Sequence, residues 1–152
     1  MGSLLKRTLI FFGLMAAGLI FYVVWFNMKA ESYDKTAIPY LNDAIPRLTS
    51  WQLNELEPLL SAQAREKLSS EQGKAAYEHF TQLGQYKSMG KPQYKSENPG
   101  QTEELGNFRI ATYNVPVEFE SGPAMIKINL ATTEDKIYIH QFGIHSEVFA
   151  EQ

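Results

Sequence analysis

Phe108–Leu130 reads FRIATYNVPVEFESGPAMIKINL. Ala111, Tyr113, Val115, Val117 and Phe119 fall at every second position, and Ala124, Ile126, Ile128 and Leu130 alternate with Met125, Lys127 and Asn129. Side chains of a strand point alternately to its two faces, so a period of two marks a strand with one buried face. Between the two runs lies Ser121-Gly122-Pro123, whose residues favour a reversal of the chain. The stretch therefore predicts an antiparallel hairpin with an inner face of Tyr113, Val115, Val117, Phe119, Ile126, Ile128 and Leu130. Pro116 lacks a backbone donor and predicts an edge or a bulge in the first strand.

Outward from the hairpin the pattern continues. Thr133-Glu134-Asp135 turns the chain again, and Lys136 to Ser146 supplies a further strand with Ile137 and Ile139 flanking Tyr138. Three strands joined by tight turns make an antiparallel meander. On the other side, Gln93-Tyr94-Lys95 reads as a short strand, followed by a loop of Ser, Glu, Asn, Pro and Gly from Ser96 to Gly106. The expected sheet has about four strands between about positions 91 and 148.

Before the sheet the period is helical, from about 33 to 84. Tyr33, Ala37, Tyr40, Leu41, Ala44, Ile45 and Leu48 form one apolar face, which Pro39 and Pro46 are expected to kink or restart. Thr49-Ser50-Trp51-Gln52 matches a capping box ahead of Leu53, Leu56, Leu59 and Leu60, with Pro58 limiting that helix. Ser61 to Leu68 adds a turn or two. Ser69-Ser70-Glu71-Gln72 caps the next helix, whose inner face is Ala76, Tyr77, Phe80 and Leu83 and whose end is Gly84. Helices first and sheet second predict an α+β domain, with the helices packed on one face of a curved antiparallel sheet. Trp51 is expected to anchor the helices to the sheet beside Phe80, Phe119, Ile126 and Ile128.

Leu9–Phe26, LIFFGLMAAGLIFYVVWF, is apolar, aromatic or glycine throughout. Eighteen residues at about 1.5 Å each span roughly 27 Å, close to a bilayer's hydrocarbon thickness. No polar stripe is present, as a core helix of a soluble domain would need. The expected layout is a cytoplasmic tail over 1–7, a transmembrane helix over 8–28 and an extracytoplasmic domain over 29–152. Lys6 and Arg7 hold the N-terminus inside under the positive-inside rule, and Trp25 belongs to the aromatic belt at the far interface. A cleaved signal peptide would carry a shorter apolar run and a small-x-small site, whereas this run ends in Trp25-Phe26-Asn27-Met28-Lys29. Gly13 and Ala17 make a small-xxx-small step suited to packing against a second transmembrane helix, which leaves a homo-oligomer open.

Charge and composition narrow the functional classes. All seventeen acidic residues lie beyond Asn27, against twelve of the fourteen basic ones, so that part carries a net −5. Nucleic-acid binders carry a basic face, so no nucleic-acid partner is expected. The absence of cysteine removes disulfides and thiolate chemistry, and no Asn-x-Ser/Thr acceptor occurs; both fit a bacterial envelope.

The segments W-x-x-x-E-L-E-P-L-L-S from Trp51, F-x-x-L-G from Phe80, P-Q-Y from Pro92, Y-N-V-P-V-E-F-E-S-G-P-A from Tyr113 and K-I-Y-I-H-Q-F-G-I from Lys136 resemble the cystatin-like fold. This is the fold of nuclear transport factor two and ketosteroid isomerase. The chain is similar in particular to small anchored bacterial domains of unknown function, over about Tyr33 to Val148. The resemblance implies a cone-shaped cavity between helices and sheet, which in ketosteroid isomerase relatives holds a carboxylate base. Anchored domains of this fold also scaffold partners in type IV secretion assemblies, although this chain is shorter and lacks their motifs.

The catalytic roles do not carry over. Tyr40 could face such a cavity, but Asp43 lies about 300° further round its helix, and the inner strand set contains no acid. His140 and His145, five apart on one strand, are expected on opposite faces and so do not converge with His79 on a metal. Glu118 and Glu120 read as the wet face of a strand. The candidate cavity-lining residues are Tyr40, Trp51, Tyr77, Phe80, Tyr113, Val115, Val117, Phe119, Ile126 and Ile128; the same residues serve equally as packed core, which is the first reading. The expectation is a single-pass, non-enzymatic interaction or scaffold module on the bacterial cytoplasmic membrane, without a cofactor. Its partners would be the bilayer and another membrane or periplasmic protein. The alternative is a small-molecule carrier or sensor, and last an isomerase- or dehydratase-like enzyme.

Overall fold

The computed structural model describes residues 2–150; Met1, Glu151 and Gln152, the outer ends of the expected tail and domain, lie outside it. The elements are α1 (Gly2–Leu48), α2 (Leu53–Leu56), a 3-10 turn (Glu57–Leu59), α3 (Ala62–Ser69), α4 (Glu71–Phe80), a second 3-10 turn (Thr81–Leu83), β1 (Tyr86–Met89), β2 (Gln93–Thr102), β3 (Gly106–Phe119), β4 (Gly122–Thr132), β5 (Ile137–His145) and α5 (Glu147–Ala150). The chain divides into two units, one up to Lys35 and one from Thr36 onward.

The first unit is helical. Its apolar side chains are exposed all round: Leu9, Phe12, Leu14, Leu19, Phe21 and Val24 each show half or more of their surface. This helix is long and apolar enough to cross a membrane. The backbone is helical without interruption through Leu48, so the ends of the span rest on the residue pattern alone. At the C-terminal end of the apolar run the Lys29 ammonium sits 4.8 Å over the Trp25 ring, a cation–π contact.

The second unit is α+β. The last turns of α1 bury Ala37, Leu41, Ala44, Ile45 and Leu48. Pro39 and Pro46 were expected to kink or restart this helix, and it does not restart: both lie inside one continuous helix. An interior proline costs about 3 kcal/mol. Burying a Leu or Ile side chain returns roughly 1.5–3 kcal/mol, so this face outweighs the two lost hydrogen bonds. Pro39 is also exposed, as is Lys35, whose carbonyl the missing N–H would have bonded.

Five antiparallel strands form one sheet, four positions wide. The lateral order is β1-β3-β4-β5, with β2 also on β3. β1 pairs with Val117–Phe119 and β2 with Gly106–Asn114, so both lie along the same side of β3. In the hairpin at Gly122, Tyr113 lies opposite Ile128 and Val115 opposite Ile126, so the expected inner faces of the two strands fall on one side of the sheet. Gly122 itself has φ 137°, a backbone conformation that L side chains rarely adopt.

Three expectations change here. Pro116 sits in the central strand rather than at an edge. It falls at the gap between β1 and β2, where its carbonyl accepts from the Gly90 N–H at 2.8 Å and no ladder donor is required. The residues read as a loop from Ser96 are strand through Thr102, and only Glu103 to Leu105 turn. Asn98-Pro99-Gly100 is poor strand sequence, yet β2 is an edge strand, which tolerates proline, and Gly100 lies under the Phe108 ring, where a Cβ would come within 2.5 Å. Thr49 does not open the next helix. It closes α1, its hydroxyl donating to the Ile45 carbonyl at 2.7 Å, and Gln52 takes the N-cap position of α2 without a side-chain bond.

Candidate functional site

The inner face of the sheet is packed, not hollow. Tyr113, Val115, Val117, Phe119, Ile126 and Ile128 are each no more than 3% exposed. No buried side-chain nitrogen or oxygen among the described residues lacks a partner. Trp51 closes this core from the helical side. Its ring stacks on Phe119 at 5.8 Å and meets Tyr77 edge-on at 5.8 Å, and its Nε1–H donates to the Gly84 carbonyl at 2.8 Å. Of the neighbours expected for Trp51, Phe119 is its stacking partner; Phe80 instead packs toward Phe142 and Phe149.

Trp51 has φ +60°, the left-handed region that favours glycine. Helices commonly end in such a residue, most often glycine. Here a tryptophan carries the turn after α1, held by its two ring contacts and its hydrogen bond. The Tyr77 hydroxyl donates to the Leu48 carbonyl at 2.9 Å, satisfying one of the last carbonyls of α1. Burial pushes the Tyr77 hydroxyl up to about 12, and burial likewise pushes Tyr40 to about 12. Both remain donors at neutral pH. Tyr40, half-buried, reaches the Leu59 carbonyl at 3.4 Å.

An open hollow of about 240 Å³ lies elsewhere, between α3, α4 and β5. Its walls are Ala64, Lys67, Leu68, Gly73, Ala76, Tyr77, Phe80, His140, Gln141 and Phe142. Of the candidate lining residues only Tyr77 and Phe80 reach it. Gly73 allows the two helices to approach, since a Cβ there would meet the Lys67 carbonyl oxygen and the Leu68 Cα.

His140 enters this hollow because β5 is bulged. Asn129 pairs with Gln141 and Leu130 with Ile139, which leaves His140 as the extra residue. A bulge re-aims a side chain out of the regular alternation. Beside it, the Leu60–Ser61 segment covers the edge of β5: Leu60 bridges Ile139, and the Ser61 N–H donates to the Ile139 carbonyl at 3.0 Å. Ser61 is the N-cap of α3 and accepts from the Ala64 N–H at 3.2 Å. The same hydroxyl shares a hydrogen bond with His140 Nδ1, 3.3 Å away, which fixes that edge of the imidazole and turns Nε2 away from the serine. Burial, and then the nearby Lys67 charge, lower the His140 pKa below its ordinary value, so the ring is neutral at pH 7.

The Ser61–His140 pair does not make a nucleophilic pair of the hydrolase kind. Among the described residues no carboxylate orients the ring and Lys67 is the one charge that bears on it, and the serine is 3% exposed and already committed to capping. His140 stays apart from the other two histidines. His79 and His145 line one separate depression with Ile144 and Phe149, where the His79 ring lies against Phe149 at 4.6 Å. No cluster of three metal-ligating side chains occurs among the described residues. The sequence reading missed Ser61, Lys67, His140 and Phe142 as neighbours, because the bulge that gathers them has no signature in residue types. In the first unit, Lys6 and Arg7 are exposed on the first turns of α1. Comparison of the chain with protein-family models, curated proteins and solved structures gives no match.

Proposed function

We propose that the chain is a non-enzymatic interaction or scaffold module, held on the bacterial cytoplasmic membrane by a single span. On this reading Lys6 and Arg7 lie in the cytoplasm, the α+β domain lies on the far side, and the protein is an accessory subunit of an envelope or membrane complex. The observation that carries it is the pairing of an apolar helix exposed on every side with a domain whose inner sheet face is filled and free of acids. A domain tethered by one span and lacking a buried titratable pair has its surface to offer. The cystatin-like resemblance adds the precedent of anchored scaffolds. Mild-detergent purification of the full-length chain, with in-cell crosslinking and mass spectrometry, tests it: one stoichiometric partner that survives stringent washing is expected, and recovery of the chain alone overturns the reading. For orientation, a reporter active only outside the cytoplasm, fused after the domain, should be active.

A second reading, a small-molecule carrier or sensor, is favoured by one specific feature. The hollow between α3, α4 and β5 is apolar, about 240 Å³ in size, and contains a neutral histidine.

A further inference from the structure

The hollow differs in charge from the rest of the domain. From Lys29 onward the chain carries a net −5, yet none of the ten residues around the hollow is acidic and two are basic. Lys67 stands on α3 and His140 on the β5 bulge, close enough for the ammonium to oppose protonation of the imidazole. Apart from Gln141, the remaining wall is mostly apolar: Leu68, Ala76, Tyr77, Phe80 and Phe142 among others. Two rings face one another there, Phe80 and Phe142, with centroids 6.4 Å apart.

Each of these features selects for a ligand property. An ammonium without an ion pair among the described residues, beside a neutral imidazole, disfavours cations and favours an anionic head, with the lysine as the charge and the imidazole as a hydrogen-bonding group. An apolar wall favours an uncharged body. The volume limits its size. At roughly 30 Å³ per water the hollow holds about eight waters' worth of matter, below the range of about 300–1,000 Å³ for drug-sized sites.

We propose that this hollow binds a small carboxylate with an apolar body, a short aliphatic chain or a single ring, its carboxylate at Lys67 and His140 and its body against Tyr77, Phe80 and Phe142. The inference rests on the carrier or sensor reading and specifies its ligand class. His140 is fixed by Ser61 on one side and lines the ligand's chamber on the other, so it also reports occupancy.

The chain has three histidines, which makes that report easy to isolate. The full-length protein, labelled on histidine ring carbons and held in zwitterionic micelles, is titrated with hexanoate and with neutral hexanamide. His140→Gln assigns the signal, and His79 and His145 serve as internal controls. Hexanoate should move the His140 signal saturably, leave the other two unmoved, and raise the apparent His140 pKa, because a bound anion favours the imidazolium. Hexanamide should bind about fivefold or more weakly, and Lys67→Gln should erase that difference, as expected for a partly exposed charge pair worth about a factor of five. Ala76→Trp, a change at an exposed helical position on the rim, should block both ligands. Equal binding of hexanamide and hexanoate overturns the carboxylate assignment while leaving a ligand site. Absence of any saturable His140 response to either, or equal shifts at all three histidines, overturns the site itself.

Discussion

The chain has two tryptophans, and they answer to different surroundings. Trp25 lies in the apolar run of α1, nearly half exposed, with only the Lys29 ammonium over its ring. Trp51 is stacked, hydrogen-bonded and bent into a left-handed backbone conformation at the junction of helices and sheet. The same side chain is in one place exposed on a helix long and apolar enough to cross a membrane and in the other the closing piece of a core. What separates them is the spacing of apolar residues around each. Around Trp25 they are continuous; around Trp51 they recur once per helical turn and then every second residue.

The largest expected effect breaks this pair apart. Trp51→Ala should cost about 3 kcal/mol or more, a large part of the roughly 5–15 kcal/mol that holds a small domain folded. Near-ultraviolet circular dichroism of the full-length chain in detergent should show the domain melting many degrees lower, or absent at room temperature. Trp25→Ala should leave that transition in place. Single-tryptophan variants sharpen the contrast: with Trp51→Phe, the remaining Trp25 should be quenched by lipids brominated near the headgroup, and with Trp25→Phe, Trp51 should not. Quenching of Trp51 alone would reverse the assignment of membrane and core.

A smaller effect separates the side chain of Trp51 from its backbone. At φ +60° an alanine keeps the strain of the left-handed region, about 1–2 kcal/mol, whereas glycine does not. Trp51→Gly should therefore be less damaging than Trp51→Ala by about 1 kcal/mol, the reverse of the order at an ordinary position. Equal losses would mean that the backbone relaxes once the ring is gone.

How far the sequence disclosed this arrangement follows from how local each signal is. The hairpin from Phe108 to Leu130 was legible down to its inner face, because alternation and a Ser-Gly-Pro turn are properties of neighbouring residues. The α+β order and the apolar span were legible for the same reason. β2 was legible only at its start, Gln93 to Lys95: beyond it Asn98-Pro99-Gly100 is loop chemistry, and its seat beside Phe108 and Ile110 makes it strand. The continuous α1 and the left-handed Trp51 were not legible, both held by contacts with residues distant in the sequence. The candidate site was the least legible part. Tyr77 and Phe80 were in view, but Lys67 and His140 meet through a one-residue bulge that no periodicity announces.

Tyr77→Phe tests the next link down. It deletes the hydroxyl that satisfies the Leu48 carbonyl but keeps the ring against Trp51. Leaving a buried carbonyl without its donor costs about 1–2 kcal/mol, so denaturant midpoints of the full-length chain should fall modestly with the slope unchanged. No change would mean that water replaces the hydroxyl at the end of α1.

The smallest expected effect belongs to His140 and appears only with pH. Its folded pKa lies below the ordinary 6.5, because burial and Lys67 disfavour the imidazolium. Between 6.5 and that lowered value the unfolded chain binds a proton that the folded chain does not, and stability rises with pH wherever the unfolded state binds more protons. The His140 contribution is therefore complete above about pH 6.5, declines as pH falls toward the folded value, and is constant below it. His140→Gln should remove this slope and leave the carboxylate titrations at lower pH as they are. Lys67→Gln should flatten it in part, since the lysine is the second cause of the shift and burial the first. Denaturation of the three proteins from pH 7.5 to 5 gives the comparison. If the wild-type chain and His140→Gln run parallel across that window, the imidazole is hydrated, and the hollow between α3, α4 and β5 is open to water at its bulged wall.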